Sequence, residues 1–137
     1  MWSQRCVIDY SLQRRATLAT LFNGGATTMD DVCDADPYTL LAAKHHGEPA
    51  QMPCPVCRKP QLTHLSYVFG DELGQFSGRI KSRCEIEAMA HEHGEICIYV
   101  LEVCRNCSWN HLVESYVVGD GSPRKPPRRQ RTVEDDA

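Results

Sequence analysis

No stretch of this chain stays apolar for more than six residues. The longest run is Ile96 to Leu101, far short of the roughly 20 that a helix needs to cross a bilayer, so no transmembrane helix is expected. The start, Met1-Trp2-Ser3-Gln4-Arg5, leads into Arg-bearing sequence and not into an apolar signal region. A cytoplasmic protein with reduced cysteines is therefore expected in place of a secreted disulfide framework. A glycine-rich phosphate loop, a GxSxG nucleophile elbow and an HExxH metal helix are all missing, which leaves no nucleophile, acid or base to assign and points to a non-enzymatic protein. Strong net charge is missing too. The formal balance is −3, and because residues 122–137 carry five Arg or Lys against three acids, residues 1–121 hold −5. That acidic body disfavours non-specific nucleic-acid binding. At 137 residues and 42% apolar, the chain suits one compact domain, or a small domain with an appended unit.

Cysteine is abundant, with eight residues, and four of them are patterned as Cys54-Pro55-Val56-Cys57 and Cys104-Arg105-Asn106-Cys107. Two intervening residues let both sulfurs of a knuckle face one centre, and two knuckles supply the four thiolates of a closed, structural Zn²⁺ site. Iron in a rubredoxin-like site and a redox dithiol are the competing readings; a redox motif, however, does not need a second knuckle. Four thiolates around Zn²⁺ would add about −2 to an already acidic body. The 46 residues between the knuckles, 58–103, exceed the roughly 12 to 20 of a simple ribbon, so an insertion must fold inside the metal-closed loop.

From Asp9 as N-cap, Leu12, Ala16, Ala19 and Phe22 recur at helical spacing up to the stop Asn23-Gly24-Gly25, with Arg14 and Arg15 assigned to a solvated face. Thr28 opens a short helix with Asp30-Asp31 in its first turn, and Asp36-Pro37 opens a third that Gly47 ends. Acidic residues line the elements that would meet DNA, so a docking unit is favoured over a helix-turn-helix reader. Residues 1–47 thus form a helical N-terminal unit, and residues 48–53, with Pro49 and Pro53, a linker. Residues 54–121 form the ribbon domain. Leu62 to Phe69 is a strand with Leu65, Tyr67 and Phe69 on one face, residues 70–78 are a loop exposing Leu73 and Phe76, and Ser82 with Glu85 caps an inserted helix that Gly94 ends. Glu95 to Val103 is apolar on both faces and reads as the central strand, with Trp109 to Val118 as the third. The expected fold is α+β: a three-stranded antiparallel zinc ribbon with a helical insertion, preceded by the small helical unit. Residues 122–137 read as a disordered basic and acidic tail.

His91 and His93 sit at the end of the inserted helix, where a favourable macrodipole explains them as exposed residues; a second metal site with His64 or His111 is the alternative. Cys6, Cys33, Cys84 and Cys97 lack knuckle spacing and read as buried, reduced thiols. His111, four residues after Cys107, reads as a partly buried strand residue.

The segments Asp9-Tyr10-Ser11-Leu12-Gln13-Arg14-Arg15, Cys33-Asp34-Ala35-Asp36-Pro37-Tyr38, Cys54-Pro55-Val56-Cys57, Tyr67-Val68-Phe69-Gly70-Asp71-Glu72-Leu73-Gly74 and Val103-Cys104-Arg105-Asn106-Cys107-Ser108-Trp109-Asn110-His111-Leu112 together resemble a family of small actinobacterial proteins with a domain of unknown function. The resemblance covers roughly residues 8 to 119 and implies a cytoplasmic bacterial protein, but no catalytic residues. Zinc ribbons in general commonly place Gly after each CxxC, where the turn favours positive φ. Arg58 and Ser108 stand there instead.

The function expected is a non-catalytic zinc-binding adaptor that docks on a larger assembly, with RNA polymerase or the ribosome as candidates by fold-level analogy. Residues 124–131 would add weak nucleic-acid contact. The alternative is a metal-dependent or thiol redox enzyme using His91, His93 or a spare cysteine.

Overall fold

The computed structural model describes residues 4–24 and 27–121, so the tail reading for 122–137 lies outside the described residues. Six strands form one sheet: β1 (Arg5–Asp9), β2 (Glu48–Pro49), β3 (Leu62–Phe69), β4 (Arg79–Ile80), β5 (Ile96–Cys104) and β6 (Asn110–Val118). The helices are α1 (Ser11–Phe22), α2 (Met29–Val32), α3 (Pro37–His46) and α4 (Arg83–Glu92), with a 3₁₀ segment at Asp71–Phe76. The strand order is β1-β6-β5-β3-β2, every pairing is antiparallel, and β4 pairs with β3.

The class is α+β as the sequence reading has it, and the three long strands lie where the pattern puts them, but the expected count of three is corrected to six. β1, β2 and β4 carry no alternation of their own. β1 is interrupted by an irregular register between Arg5 and Ile8, where Cys6 takes a φ of 51°. β2 and β4 have two residues each and exist only as pairings along β3. Glu48 and Pro49, read as linker, are thus an edge strand, a sheet position where a residue without an N–H is tolerated.

β5 is central and holds the core together. On one face Ile96, Ile98 and Val100 meet Val68, Tyr116 and Val118, under Ile86 and Ala90 of α4 and Leu73 of the 3₁₀ segment. Leu73 is 6% exposed, a correction to its reading as an exposed loop residue. The turn of 3₁₀ helix folds it inward, whereas Phe76 stays partly out beneath the Arg79 guanidinium at 4.7 Å. On the opposite face Leu65 and Val103 pack on Ala43, with Leu40 and Ala42 of α3 beside them. A third cluster, Val32, Cys54, Leu62, Cys104 and Trp109, lies at the knuckle end with Leu18 and Leu21 of α1.

Caps set the helix starts. Asp36 accepts from Thr39 N at 2.7 Å ahead of Pro37, and Ser82 with Glu85 closes a reciprocal capping box. At the other end of α3, Gly47 lies so close to the Ala43 carbonyl and the Thr63 side chain that a Cβ would collide with both. The start of α1 differs from expectation. Asp9 belongs to β1 and Tyr10 takes the N-cap position, although Asp9 Oδ1 still accepts from Ser11 N at 2.8 Å. The face of α1 that turns inward is Arg14, Thr17, Leu18 and Leu21, while Leu12 is 69% and Phe22 54% exposed. The apolar stripe of the sequence therefore points to solvent, and Arg14, assigned to a solvated face, points in.

Candidate metal centre

β3 begins and β5 ends at the same edge of the sheet, where Leu62 pairs with Cys104, so the loop before β3 and the hairpin after β5 meet. Each carries one knuckle, and the two fold alike. Arg58 N donates to the Cys54 carbonyl and Ser108 N to the Cys104 carbonyl, both at 3.0 Å, closing matching turns. Cys54 N in turn donates to Lys59 O at 3.0 Å and Cys104 N to Trp109 O at 2.8 Å. Backbone N–H groups also reach the first sulfur of each knuckle: Val56 N to Cys54 Sγ and Asn106 N to Cys104 Sγ, both at 3.3 Å. The residue after each knuckle is left-handed, with φ of 66° at Arg58 and 73° at Ser108. These are the positions where Gly was anticipated, and the turns form without it. Arg105 N, donating to Gln61 O at 3.1 Å, joins the two halves.

The four sulfurs of Cys54, Cys57, Cys104 and Cys107 lie within 4.8 Å of one another. The two cross-knuckle contacts are Cys54 to Cys107 at 3.7 Å and Cys57 to Cys104 at 3.5 Å. A tetrahedral centre with metal–sulfur bonds of about 2.3 Å sets its sulfurs about 3.8 Å apart, so the donor set fits one such ion. Cys54 and Cys104 are fully buried, and Cys57 and Cys107 half-buried. Burial pushes the Cys54 thiol up strongly and Cys107 up to about 12. Burial acts on Cys57 in the same direction, but hydrogen bonds from the Lys59 backbone and the Asn106 side chain outweigh it and lower this thiol to about 6. Cys57 thus ionises ahead of Cys54 and Cys107, and a bound cation would favour the thiolate form of those two.

Two features near this centre have no signature in the sequence. Glu102 on β5 is 3% exposed, and its Oε2 accepts from Arg14 Nε at 2.6 Å and from Trp109 Nε1 at 2.7 Å, which ties α1 to the strand that carries the second knuckle. Cys33, at the end of α2, places its sulfur 3.6 Å from Cys107 Sγ. An isolated cysteine and a lone Arg–Glu pair 88 residues apart carry no local pattern that could have revealed them.

The histidines do not join the cysteines. His64 and His111 flank Glu102 in register on β3 and β6, but the Arg14 guanidinium takes up the carboxylate between them. His111 stacks on Trp109 with ring centroids 5.8 Å apart, and its Nδ1 lies 2.7 Å from the Leu112 carbonyl, in line with a partly buried strand residue. His91 is exposed, as expected for a helix end. His93 is not: half-buried at the α4 C-cap, it sets Nδ1 3.1 Å from Glu72 Oε1, which also accepts from Gly94 N at 3.3 Å. Among the described residues, the cysteine quartet is the one convergent group of metal-binding side chains. The expectation that the spare cysteines are buried is corrected: Cys6, on the edge strand β1, and Cys84, in the first turn of α4, are exposed, and Cys33 and Cys97 are half-buried.

No helix among the described residues is long and apolar enough to cross a membrane. No solved structure matches the chain. Two similar proteins are described as uncharacterised, one from Mycobacterium tuberculosis and one from Mycobacterium bovis. Each is 50% identical over 121 residues, covering 88% of this chain and 88% of its own length. With the match over residues 1–132, the chain belongs to DUF5318, a family of unknown function.

Proposed function

We propose that the protein is a non-catalytic adaptor: a zinc ribbon, closed by Zn²⁺ on Cys54, Cys57, Cys104 and Cys107, that holds a helical docking face rigid. The observation that carries this reading is the completeness of the donor set. Four cysteine sulfurs lie within 4.8 Å of one another, which leaves no ligand position for substrate and matches structural rather than catalytic zinc. The outward stripe of α1 supports docking, since Leu12 and Phe22 are exposed on a helix that Arg14 and Leu18 hold against the body. RNA polymerase and the ribosome are the candidate partners by analogy with other zinc ribbons. The basic run 124–131 is the segment suited to weak nucleic-acid contact there.

The test is affinity capture from the native cell with metal quantified on the same sample, using wild type, Cys104→Ser and the double variant Leu12→Glu, Phe22→Glu. Wild type should carry one zinc per chain and retain a defined assembly. The double variant should keep its zinc and lose the assembly, and Cys104→Ser should lose both. An iron-type visible spectrum, or undiminished metal in Cys104→Ser, would contradict the centre. Unchanged capture by the double variant would contradict the docking face.

A further inference from the structure

Five cysteines, not four, meet at the knuckle end. Cys33 lies outside the mutually close quartet, yet its sulfur is 3.6 Å from Cys107 Sγ, the same spacing that separates the quartet's own cross-knuckle pairs. Its position is fixed by a dedicated set of contacts. Val32 is buried in the same cluster as Cys104 and Trp109. Asp34 Oδ1 accepts from Asn110 Nδ2 at 2.8 Å, and Ala35 N donates to Ser108 O at 3.1 Å. The segment from α2 to α3 is thereby fastened to the second knuckle on both sides of Cys33. Both Cys33 and Cys107 are half-buried, within reach of a small solute. A disulfide needs its sulfurs about 2.05 Å apart, so the pair has to close by about 1.5 Å.

We propose that Cys33 and Cys107 form a peroxide-dependent disulfide that takes Cys107 off the metal and so opens the centre. The inference rests on the metal reading above. One of the two sulfurs attacks hydrogen peroxide: the O–O bond breaks, a sulfenic acid forms and the first water leaves after taking up a proton. The second sulfur then displaces the hydroxyl from the sulfenic sulfur. The S–S bond forms, the S–O bond breaks, and the hydroxide takes up the proton that the second thiol gives up and leaves as the second water. The two sulfurs together give up two electrons and the peroxide accepts them. A disulfide sulfur is no longer a thiolate donor, so the bond from Cys107 to the metal is lost and three thiolates remain. A dithiol reverses the step by exchange.

The experiment uses the full metal-loaded chain, hydrogen peroxide, a chromophoric zinc indicator and peptide mapping by mass spectrometry, on wild type, Cys33→Ser and Cys33→Ala. Metal content is measured before oxidant is added. Wild type should yield the Cys33–Cys107 linked peptide in step with zinc release, and dithiothreitol with added zinc should restore it. Both variants should start with one zinc and release it at least tenfold more slowly. A loaded wild type whose map pairs Cys107 with Cys54, Cys57 or Cys104, or variants that release zinc at the wild-type rate, would overturn the proposal and leave the metal centre standing. A wild type without metal before oxidation would overturn the metal reading and the release step together.

Discussion

Glu102 gives one carboxylate oxygen to two donors, Arg14 and Trp109, inside a site that is 3% exposed. The side chain of Arg14 is itself only 23% exposed. Removing one partner of such a buried pair strands the other charge, so Arg14→Ala should lower stability by about 3 kcal/mol, read as a shifted urea midpoint. Arg14→Ala combined with Glu102→Gln should cost clearly less than the two single changes added together, because the stranded charge disappears. A merely solvated Arg14 would give no measurable loss in either protein. The same residues mark where local reading stops. The convergence of the four knuckle thiols was legible because CxxC spacing is itself a geometric statement. Arg14, Cys33 and Leu73 were not, since what decides their environment is a partner or a turn that only the folded chain supplies.

At the scale of elements, β3, β5, α3 and α4 were legible because each carries its own signal, an apolar face in β3, a run apolar on both faces in β5, or a cap such as Asp36-Pro37 or Ser82-Glu85, and β6 follows as the strand that returns from the second knuckle. α1 was legible in extent but inverted in orientation. Its apolar stripe was assumed to face the core, while the helix docks through Arg14 and Leu18. The knuckle turns make a further test. Arg58 and Ser108 hold φ of 66° and 73°, a region that costs an L-residue about 1 to 2 kcal/mol, while Gly itself loses about 0.5 to 1 kcal/mol of chain entropy on folding. Arg58→Gly and Ser108→Gly should therefore each raise stability by up to about 1 kcal/mol, seen as a higher melting temperature at unchanged zinc content. A lower melting temperature for both would mean that the Arg58 and Ser108 side chains stabilise the turns by more than the strain they carry.

In the whole molecule the four cysteines of the candidate metal centre belong to one core cluster of three. Cys54 and Cys104 pack with Val32, Leu62 and Trp109, while the cluster beneath α4, built on Val68, Ile96, Ile98 and Val118, contains no ligand. Chelation should accordingly open the molecule from one end. Amide hydrogen exchange should speed up by orders of magnitude in residues 54–62 and 104–109, while Ile98 and Tyr116 keep most of their protection, because metal-binding energy is folding energy only where ligands and core are shared. Uniform loss of protection throughout the sheet would show a single cooperative unit instead. The pairing of β1 with β6 adds a consequence of another kind. Arg5 sits opposite Val117 and its Nε donates to the Gly119 carbonyl at 3.2 Å, so the start of the first described strand and the end of the last lie side by side at the end of the sheet away from the knuckle cysteines. Eight steps of β6, from Asn110 to Val118, span about 27 Å. A partner gripping both the knuckle tip and this far end of the sheet would therefore be held at two points that far apart, a bivalent ruler whose strength depends on the spacing of the partner's sites as much as on their chemistry.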